Sequence, residues 1–288
     1  MSVIDASTVP QRRWLPGRRP SFGGGVSLAE RLGIGLFTIL VLAALGAPFL
    51  ASDPTVSVGA PFAGPSLDHL FGTDDIGEDL FSRVVFGLRT SLVAAAVVIA
   101  FGVAVGGLVG LVAGTLGGWV DALLMRITDV FLTLPGPILA IAIVAAMGPS
   151  LGHTVIAVAI VWWPWYARLV RNEVRALIVR PHIDAARLAG TKTLRIMGRH
   201  VMPGTLPPVV VAASLDVQIL VLTLAGLSFL GLGSPPPAPE LGAMAARGSD
   251  YLVGHPWVAL APGCAVFLVA FAANLAGDGV RDLLNRRR

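Results

Sequence analysis

Long apolar runs dominate the pattern of hydrophobic and polar positions along the chain. Six segments approach or exceed the roughly 20 residues that a bilayer-spanning helix needs. They lie at about 32–51, 91–116, 123–147, 154–170, 208–232 and 257–276. None alternates with a period of two, as a barrel strand would, so backbone groups in lipid must be satisfied within helices. The pattern predicts an all-α membrane protein with six transmembrane helices and both termini on one side.

Composition agrees with a membrane protein. Of the 288 residues, 55% are hydrophobic and 13% are charged, about half the charged fraction of a soluble domain. The first apolar run follows about 30 residues and is long for the core of a signal peptide. We therefore expect an uncleaved first helix rather than a cleaved leader.

The basic residues give the bundle a direction. With the N-terminus in the cytoplasm, 18 of the 21 basic residues lie in inner segments, and only Arg83, Arg89 and Arg247 lie outside. An excess of arginine and lysine in cytoplasmic segments is typical of multi-pass proteins. Both termini are therefore predicted to be cytoplasmic.

These boundaries predict five parts. They are a disordered cytoplasmic tail (1–29), a first transmembrane helix (30–51), an extracytoplasmic loop (52–90), a five-helix transmembrane core (91–280) with cytoplasmic helices at 182–203, and a basic cytoplasmic C-terminus (281–288).

The outer loop is acidic near its end. Asp74, Asp75, Glu78 and Asp79 lack the spacing of a calcium-binding EF-hand, so we expect a solvated docking surface rather than a metal site. Residues from Glu78 onward could form a short helix along the membrane face.

Five glycines in and just after the second apolar run recur at every fourth position: Gly102, Gly106, Gly110, Gly114 and Gly118. On a helix this spacing forms one ridge without side chains, against which another helix can approach closely. Packing within the bundle is the expected role, and a subunit interface is the alternative.

Two polar residues, Asp216 and Gln218, interrupt the fifth apolar run. If that helix starts near Pro208, Asp216 lies about 12 Å along it. A carboxylate in lipid usually faces a cavity or a partner, so the pair could line a translocation path or hydrogen-bond within the bundle. The aromatic run Trp162 to Tyr166 is expected to form an interfacial belt and to pack, rather than to stack on a substrate.

Little in the sequence indicates catalysis. The five histidines are scattered without metal-ligand spacing, and the one cysteine, Cys264, cannot form an internal disulfide. No nucleophile constellation is present. A phosphate-binding loop needs glycine before its lysine, but the only lysine, Lys192, follows Thr191. The chain is therefore not expected to be an enzyme or an ATPase, and it has no predicted catalytic or metal-binding residue.

The stretch "IDAARLAGTKTLRIMGRHVMPG" at 183–204 is helix-friendly and basic. Pro181 should break the preceding helix, and Asp184 suits the first turn of a new one. Gly190 suits a left-handed turn, after which Thr191 would cap a second helix that Pro203 closes. In the first helix, Ala185, Ala186 and Ala189 would form a face without bulk. In the second, Leu194, Met197 and Val201 would share one side. Such a pair could seat in a groove of another protein, or it could be a basic loop near anionic lipid.

This stretch resembles the EAA motif of bacterial ABC importer permeases, with Asp184 in place of the glutamate and Met202 before Pro203. From about residue 30 onward, further segments are similar to the dipeptide/oligopeptide/nickel permease family in its second-subunit branch. These segments include "HLFGTDDIGEDLFSRVVFGLRTSL", "WPWYARLVRNEV" and "LSFLGLGSPPPAPELG". Glu78 and Leu241 stand where that family often has arginine and tryptophan, at positions expected on the outer, binding-protein side.

The resemblance implies a type I ABC importer permease fold in the bacterial cell membrane. The chain would form a pore with a second, homologous permease subunit. Two ATP-binding subunits would use ATP and Mg, with no cofactor bound by this chain and no nucleic acid partner. The coupling residues it implies are Asp184, Ala185, Ala186, Arg187, Gly190, Arg195 and Pro203.

The cargo implied by the resemblance is a dipeptide or oligopeptide delivered by an extracytoplasmic binding protein. Nickel chelates and glutathione-like molecules are the alternatives within the family. An ion-coupled secondary transporter is a further alternative, but it would usually need an internal repeat and a midplane ionisable site, and Asp216 alone supports it. A structural subunit without a transport role is the last alternative.

Overall fold

The computed structural model describes residues 27–285, and this region is helical with irregular connections. The predicted tail up to residue 26 and the final residues 286–288 lie outside the described part. We number the helices α1 to α10. They are α1 Leu28–Leu45, α2 Ala47–Leu50, α3 Leu80–Leu116, α4 Gly118–Thr133, α5 Gly136–Met147, α6 Leu151–Ile178, α7 Pro181–Leu188, α8 Thr193–Leu232, α9 Leu241–Ser249 and α10 Trp257–Asn285.

Four helices, α1, α3, α8 and α10, are long and apolar enough to cross a bilayer. The pair α4 and α5 is bent by 84° and makes a fifth crossing if it forms one span. The bend falls where Pro135 and Pro137 interrupt the helix. Helix α6 has 28 residues, but the Trp162–Tyr166 run lies across its middle and its second half carries several charged residues. The described residues thus support four or five spans, and six stays a prediction.

Helix ends follow local capping. Ser27 and Glu30 form a reciprocal capping box at the start of α1, so this helix begins before the predicted position 30. Asp79 caps α3 by accepting a hydrogen bond from the Ser82 N–H at 2.8 Å. The prediction of a separate short helix from Glu78 is wrong, because α3 runs without a break from Leu80 into the bundle.

Two ends of the bundle differ in chemistry. We call the end with residues 51–79 and α9 the loop end, where the Trp257 indole donates to the Thr73 carbonyl at 3.3 Å. We call the end with α7 and the last turns of α3 and α6 the arginine end. The start of α1 and the end of α10 lie together, because Gly33 packs against Leu275 and Gly279 against Ile34. The two ends of the described chain therefore share one end of the bundle.

Helices α3 and α6 approach each other closely along four of the predicted glycines. Each glycine faces a different part of α6: Gly102 the Tyr166 ring, Gly106 the Trp163 carbonyl, Gly110 the Ala167 carbonyl and Gly114 the Val174 side chain. Side chains on these glycines would overlap α6, in places its backbone. This contact lies within one chain.

The fifth glycine needs a correction. Gly118 lies outside the ridge, because α3 ends at Leu116 and Gly117 turns the chain at φ +65°. Gly118 itself has φ +55°, and a side chain there would meet nothing within 4 Å. Its spacing in sequence continues the ridge, but its backbone belongs to the next helix.

The glycine contact yields a prediction with a matched control. Gly110→Leu should destabilise the fold by roughly 1–3 kcal/mol or more, because the side chain would enter space filled by the α6 backbone. Gly107→Leu adds the same side chain to the same helix, where nothing lies within 4 Å. We expect thermal unfolding in detergent to show a lowered midpoint for Gly110→Leu only. Equal midpoints for the two variants would contradict the close contact.

Candidate functional site

The connection at the arginine end is a short helix followed by a sharp turn. Pro181 occupies the first turn of α7, after the extended residue Arg180. Asp184 lies in the first turn of α7 and pairs with Arg187 at 3.2 Å. The chain then turns at Gly190 with φ +75°, a conformation that glycine adopts without steric cost.

Backbone hydrogen bonds close this turn. The Gly190 N–H donates to the Arg187 carbonyl at 2.9 Å, and the Thr191 N–H donates to the Ala186 carbonyl at 3.0 Å. These bonds satisfy carbonyls at the end of α7 that would otherwise lack partners. A side chain at Gly190 would meet nothing within 4 Å, so the backbone angle is the constraint at this position.

Three predictions about the second helix are wrong. Lys192, not Thr191, precedes the first turn of α8, and no side chain caps it. Pro203 does not close the helix, because α8 continues to Leu232 through a π-helical segment at Met197–Val201. This wider turn carries the helix into the proline-containing segment that follows. Leu194 is 75% exposed although Val201 is buried, so the two do not share a face.

The buried side of this segment consists of Ile183, Ile196 and Val201. They form one hydrophobic cluster with Val174 and Leu177 of α6. This packing attaches α7 and the start of α8 to the bundle. Ile183 and Ile196 were missed by sequence reasoning, which followed the alanines and a wrong helical register. Their apolar character in a basic stretch was the available signal.

The outer side of the same segment is exposed. Leu188 is 91% exposed and Leu194 is 75% exposed. Most of the predicted coupling residues are exposed with them, namely Asp184, Ala185, Arg187, Gly190, Arg195 and Pro203, whereas Ala186 is half-buried. The segment therefore exposes two large apolar side chains among charged residues, while its opposite side is packed against α6.

Ion pairs hold α4 to α6 near this segment. Buried Asp121 accepts hydrogen bonds from Arg171 at 2.7 Å and from Arg175 at 2.6 Å. Asp129 pairs with Arg168. In the sequence these arginines contribute only to the predicted topology. Their partners lie about 40 to 50 positions away, which no local spacing could indicate.

Asp216 lies on α8 in the middle of the bundle and is 5% exposed. The Trp162 indole donates to its Oδ2 atom at 3.0 Å. The same carboxylate lines two grooves of about 510 and 500 Å³. The carboxylate thus hydrogen-bonds within the bundle and also faces open space, and its place on a translocation path stays a prediction.

Gln218 is not brought together with Asp216. It lies two residues further along α8, which is about 200° around a helix. Its side chain is half-buried, and it is absent from the walls of both grooves that Asp216 lines.

The aromatic run on α6 has divided roles. Tyr166 is fully buried against the glycine ridge, whereas Trp165 is exposed and lines both grooves. Trp162 holds Asp216. Tyr166 packs against the ridge and also places its hydroxyl beside Asp216, and the two tryptophans lie next to the same carboxylate.

The acidic cluster at the loop end is not the solvated surface that the sequence predicted. Asp74, Glu78 and Arg83 are all buried. Arg83 pairs with Glu78 and, at 3.6 Å, with Asp74, and it donates to the Pro54 carbonyl at 3.0 Å. Arg247 of α9 pairs with Asp75 at 3.0 Å. The acidic residues therefore tie the loop to α3 and α9.

The two departures from the family pattern, Glu78 and Leu241, are also buried. Leu241 packs with Leu80 and Met244, and the preceding Glu240 caps α9 by accepting from the Gly242 and Ala243 N–H groups at 3.0 Å. Neither residue is available to a docking protein, so both departures concern the support of the loop end.

Burial raises the pKa of the Asp74 carboxyl above its ordinary value near 3.8, against the opposing effects of the Ile76 N–H and the Arg83 guanidinium. One guanidinium here serves two buried carboxylates, and burial disfavours the charged form of an acid. Within residues 27–285, no group of three histidine, cysteine, aspartate or glutamate side chains is placed to hold a metal ion.

Comparison with known proteins identifies the family. The family described as "Binding-protein-dependent transport system inner membrane component" matches residues 106–288. The dipeptide transport system permease protein of Alkalihalophilus pseudofirmus is 41% identical over 88% of this chain and 84% of its own length. The chain belongs to this family.

Two further relatives agree with this membership. A protein of Escherichia coli (strain K12) named a probable D,D-dipeptide transport system permease protein is 41% identical, over 87% of this chain and 85% of its own length. The glutathione transport system permease protein of Pectobacterium atrosepticum is 44% identical, over 77% of this chain and 74% of its own length. The chain is thus a multi-pass inner-membrane permease subunit rather than an enzyme.

The loop-end ion pairs yield a paired prediction. Arg83→Met should destabilise the protein by about 3–5 kcal/mol, because it leaves two buried carboxylates without their counter-ion. Asp74→Asn should change stability by about 1 kcal/mol or less, because the amide oxygen can still accept from the Ile76 and Glu78 N–H groups. Thermal unfolding of the purified protein measures both effects.

The sign of the pH dependence follows from the raised pKa of Asp74. The folded state holds this proton more tightly than the unfolded state, so the stabilising contribution is full below pH 3.8 and is lost as pH rises through the folded pKa. Relative to Asp74→Asn, the wild-type protein should therefore lose stability as pH rises through that window. An opposite slope would contradict the dominance of burial at Asp74.

Proposed function

We propose that this chain is one permease subunit of an ATP-driven ABC importer that takes up dipeptides or oligopeptides delivered by an extracytoplasmic binding protein. The observation that carries the proposal is the segment from α7 to the start of α8, which is packed on the bundle on one side and exposed to solvent on the other. Family membership and the names of the relatives support the transport role and the peptide class.

In this proposal the arginine end faces the cytoplasm and the loop end faces outward. The basic residues support the assignment, because α7, the start of α8 and the C-terminal half of α6 are rich in arginine. In this orientation both termini are cytoplasmic, and α6 makes a sixth crossing of the membrane. The loop end would then receive the binding protein, on the surface stiffened by the Arg83 and Arg247 ion pairs.

The segment from α7 to the start of α8 would couple the permease to an ATP-binding subunit. Leu188 and Leu194 supply exposed apolar area, and Arg187 and Arg195 supply charge around it. A groove on the ATP-binding subunit that takes this segment would bury side chains that now have no apolar cover. Two ATP-binding subunits, which use ATP and Mg, and a second homologous permease complete the assembly.

Movement can pass from this segment into the bundle through α6. Only Val179 and Arg180 separate α6 from α7, and Ile183 and Ile196 share a cluster with Val174 and Leu177. A displacement of α7 should therefore move α6 with it as a rigid element. We propose that this motion contributes to alternating access between outward-open and inward-open arrangements.

Glutathione is the second candidate cargo, because a glutathione transport system permease protein is 44% identical to this chain. Glutathione is itself a small peptide, so the two candidates share backbone amides, an amino group and carboxylates. Uptake assays with purified complex and both cargos distinguish them. An ion-coupled transporter is disfavoured by membership in a binding-protein-dependent family.

Gly190 offers the sharpest test of coupling. Gly190→Val should penalise the left-handed turn by roughly 1–2 kcal/mol and misplace Leu188, while leaving the membrane helices intact. Gly190→Asn is the matched control, because asparagine tolerates this conformation and the site has free space. We expect the valine variant, but not the asparagine variant, to lose retention of the ATP-binding subunits and substrate-stimulated ATP hydrolysis at normal membrane levels. If valine supports wild-type ATP hydrolysis and uptake, the segment is only a basic surface loop.

A further inference from the structure

Asp216 is a buried carboxylate in the membrane part of the bundle without a described counter-ion. Among residues 27–285, the Trp162 indole donates to it and the Tyr166 hydroxyl lies beside it, and no described basic side chain forms an ion pair with it. Of the other buried acids among these residues, Asp74, Glu78 and Asp121 are each paired with arginine. Glu240 instead accepts two backbone N–H bonds at the start of α9. An unpaired carboxylate within a membrane helix is unfavourable and usually faces a functional cavity.

Two open grooves meet at this carboxylate. Both are lined by Trp165, Asp216 and Ile219. One, of about 510 Å³, extends along α8 past Pro207 and Pro208. The other, of about 500 Å³, extends to the bend between α4 and α5. Each volume lies in the range of small-molecule sites, so the carboxylate stands where a small ligand has room.

The first groove has two acidic side chains on its wall, Glu173 and Asp216, among mostly apolar residues. Arg281, the basic residue on its wall, lies close to Asp278 and Asp282 of its own helix. This chemistry favours a ligand that donates hydrogen bonds and carries positive charge.

Aromatic faces add to the same preference. Trp162 and Trp165 both line the groove nearer the α4–α5 bend, next to Asp216. Tryptophan attracts cations through the face of its ring. A carboxylate between indoles is therefore suited to an ammonium group rather than to an anion.

We infer that Asp216, held by Trp162 and flanked by Trp165, binds the protonated amino terminus of the transported peptide during its passage. The inference rests on the proposed function, because it takes the peptide as the ligand. The carboxylate accepts N–H bonds from the ammonium group and supplies its counter-charge, so the charged amino terminus is not transferred unpaired into the bundle.

The first experiment measures the charge preference of the grooves without the binding protein. Ile219→Cys places a thiol one turn from Asp216 on the wall of both grooves, in a Cys264→Ser background and in the assembled complex. Its rates of modification by a trimethylammonium and by a sulfonate methanethiosulfonate reagent are compared. Adding Asp216→Asn, which keeps an acceptor for Trp162, should lower the cation-to-anion rate ratio on the order of tenfold.

The second experiment measures uptake of alanyl-alanine by proteoliposomes that contain the complete complex and binding protein. Asp216→Asn should lower uptake about tenfold or more, and Asp216→Glu should retain most of it. Retention of the partner subunits should stay at the wild-type level for both variants. This readout separates loss of a ligand contact from loss of assembly.

Three outcomes would overturn the inference. An unchanged rate ratio would show that the carboxylate does not select cations, and normal uptake by Asp216→Asn would show that transport does not use it. Loss of the second permease subunit from Asp216→Asn would instead assign the carboxylate to a basic side chain of that subunit. Absence of ATP-dependent uptake by the wild-type complex would refute the proposed function, which the thiol experiment does not test.

Discussion

The close approach of α3 and α6 is the constraint on which the rest of the structure depends. Lipid supplies no hydrogen bonds and little hydrophobic drive between helices, so tight association requires small residues at the contact. Gly102, Gly106, Gly110 and Gly114 provide a surface without side chains. This fixes the position of α6, which carries Trp162, the arginines that bind α4, and the connection into α7.

At both ends of the bundle, buried charged side chains form ion pairs with neighbours that are close in space. Arg83 and Arg247 neutralise the acidic loop, and Asp121 is bound by Arg171 and Arg175. Each set joins elements that are distant in sequence, so the pairs act as cross-links between helices and loops. Among residues 27–285, Asp216 and Glu240 are the buried acids without an arginine partner. Glu240 caps α9, whereas Asp216 lies within the bundle on the wall of two grooves.

Local rules predicted the parts of the structure that local chemistry controls. The left-handed turn at Gly190 follows from the absence of a side chain, and the four-residue glycine spacing predicted a helix face. It was harder to predict that a helix continues through a residue that usually ends one. Pro203 suggested an end, but proline is compatible with the first turn after a π-helical segment, so α8 continues through it.

Long-range contacts account for the other errors. Acidic residues in a loop normally indicate solvent exposure, but Asp74 and Glu78 are buried because Arg83 lies directly below them at the start of α3. Burial of Leu241 likewise depends on Leu80 and Met244. No spacing rule contains this information, since it arises only when α9 packs against the loop.

We propose above all that the solvent-exposed face of α7 contacts an ATP-binding subunit in the cytoplasm. A single cysteine at Leu188→Cys, in a Cys264→Ser background, tests it directly, because Leu188 is a large apolar side chain of α7 that is 91% exposed. We predict that a short thiol-reactive cross-linker joins this position to the ATP-binding subunit in native membranes, and that a membrane-impermeant reagent outside intact cells does not reach it. Labelling from outside, or no cross-link in an ATP-hydrolysing complex, would contradict the account.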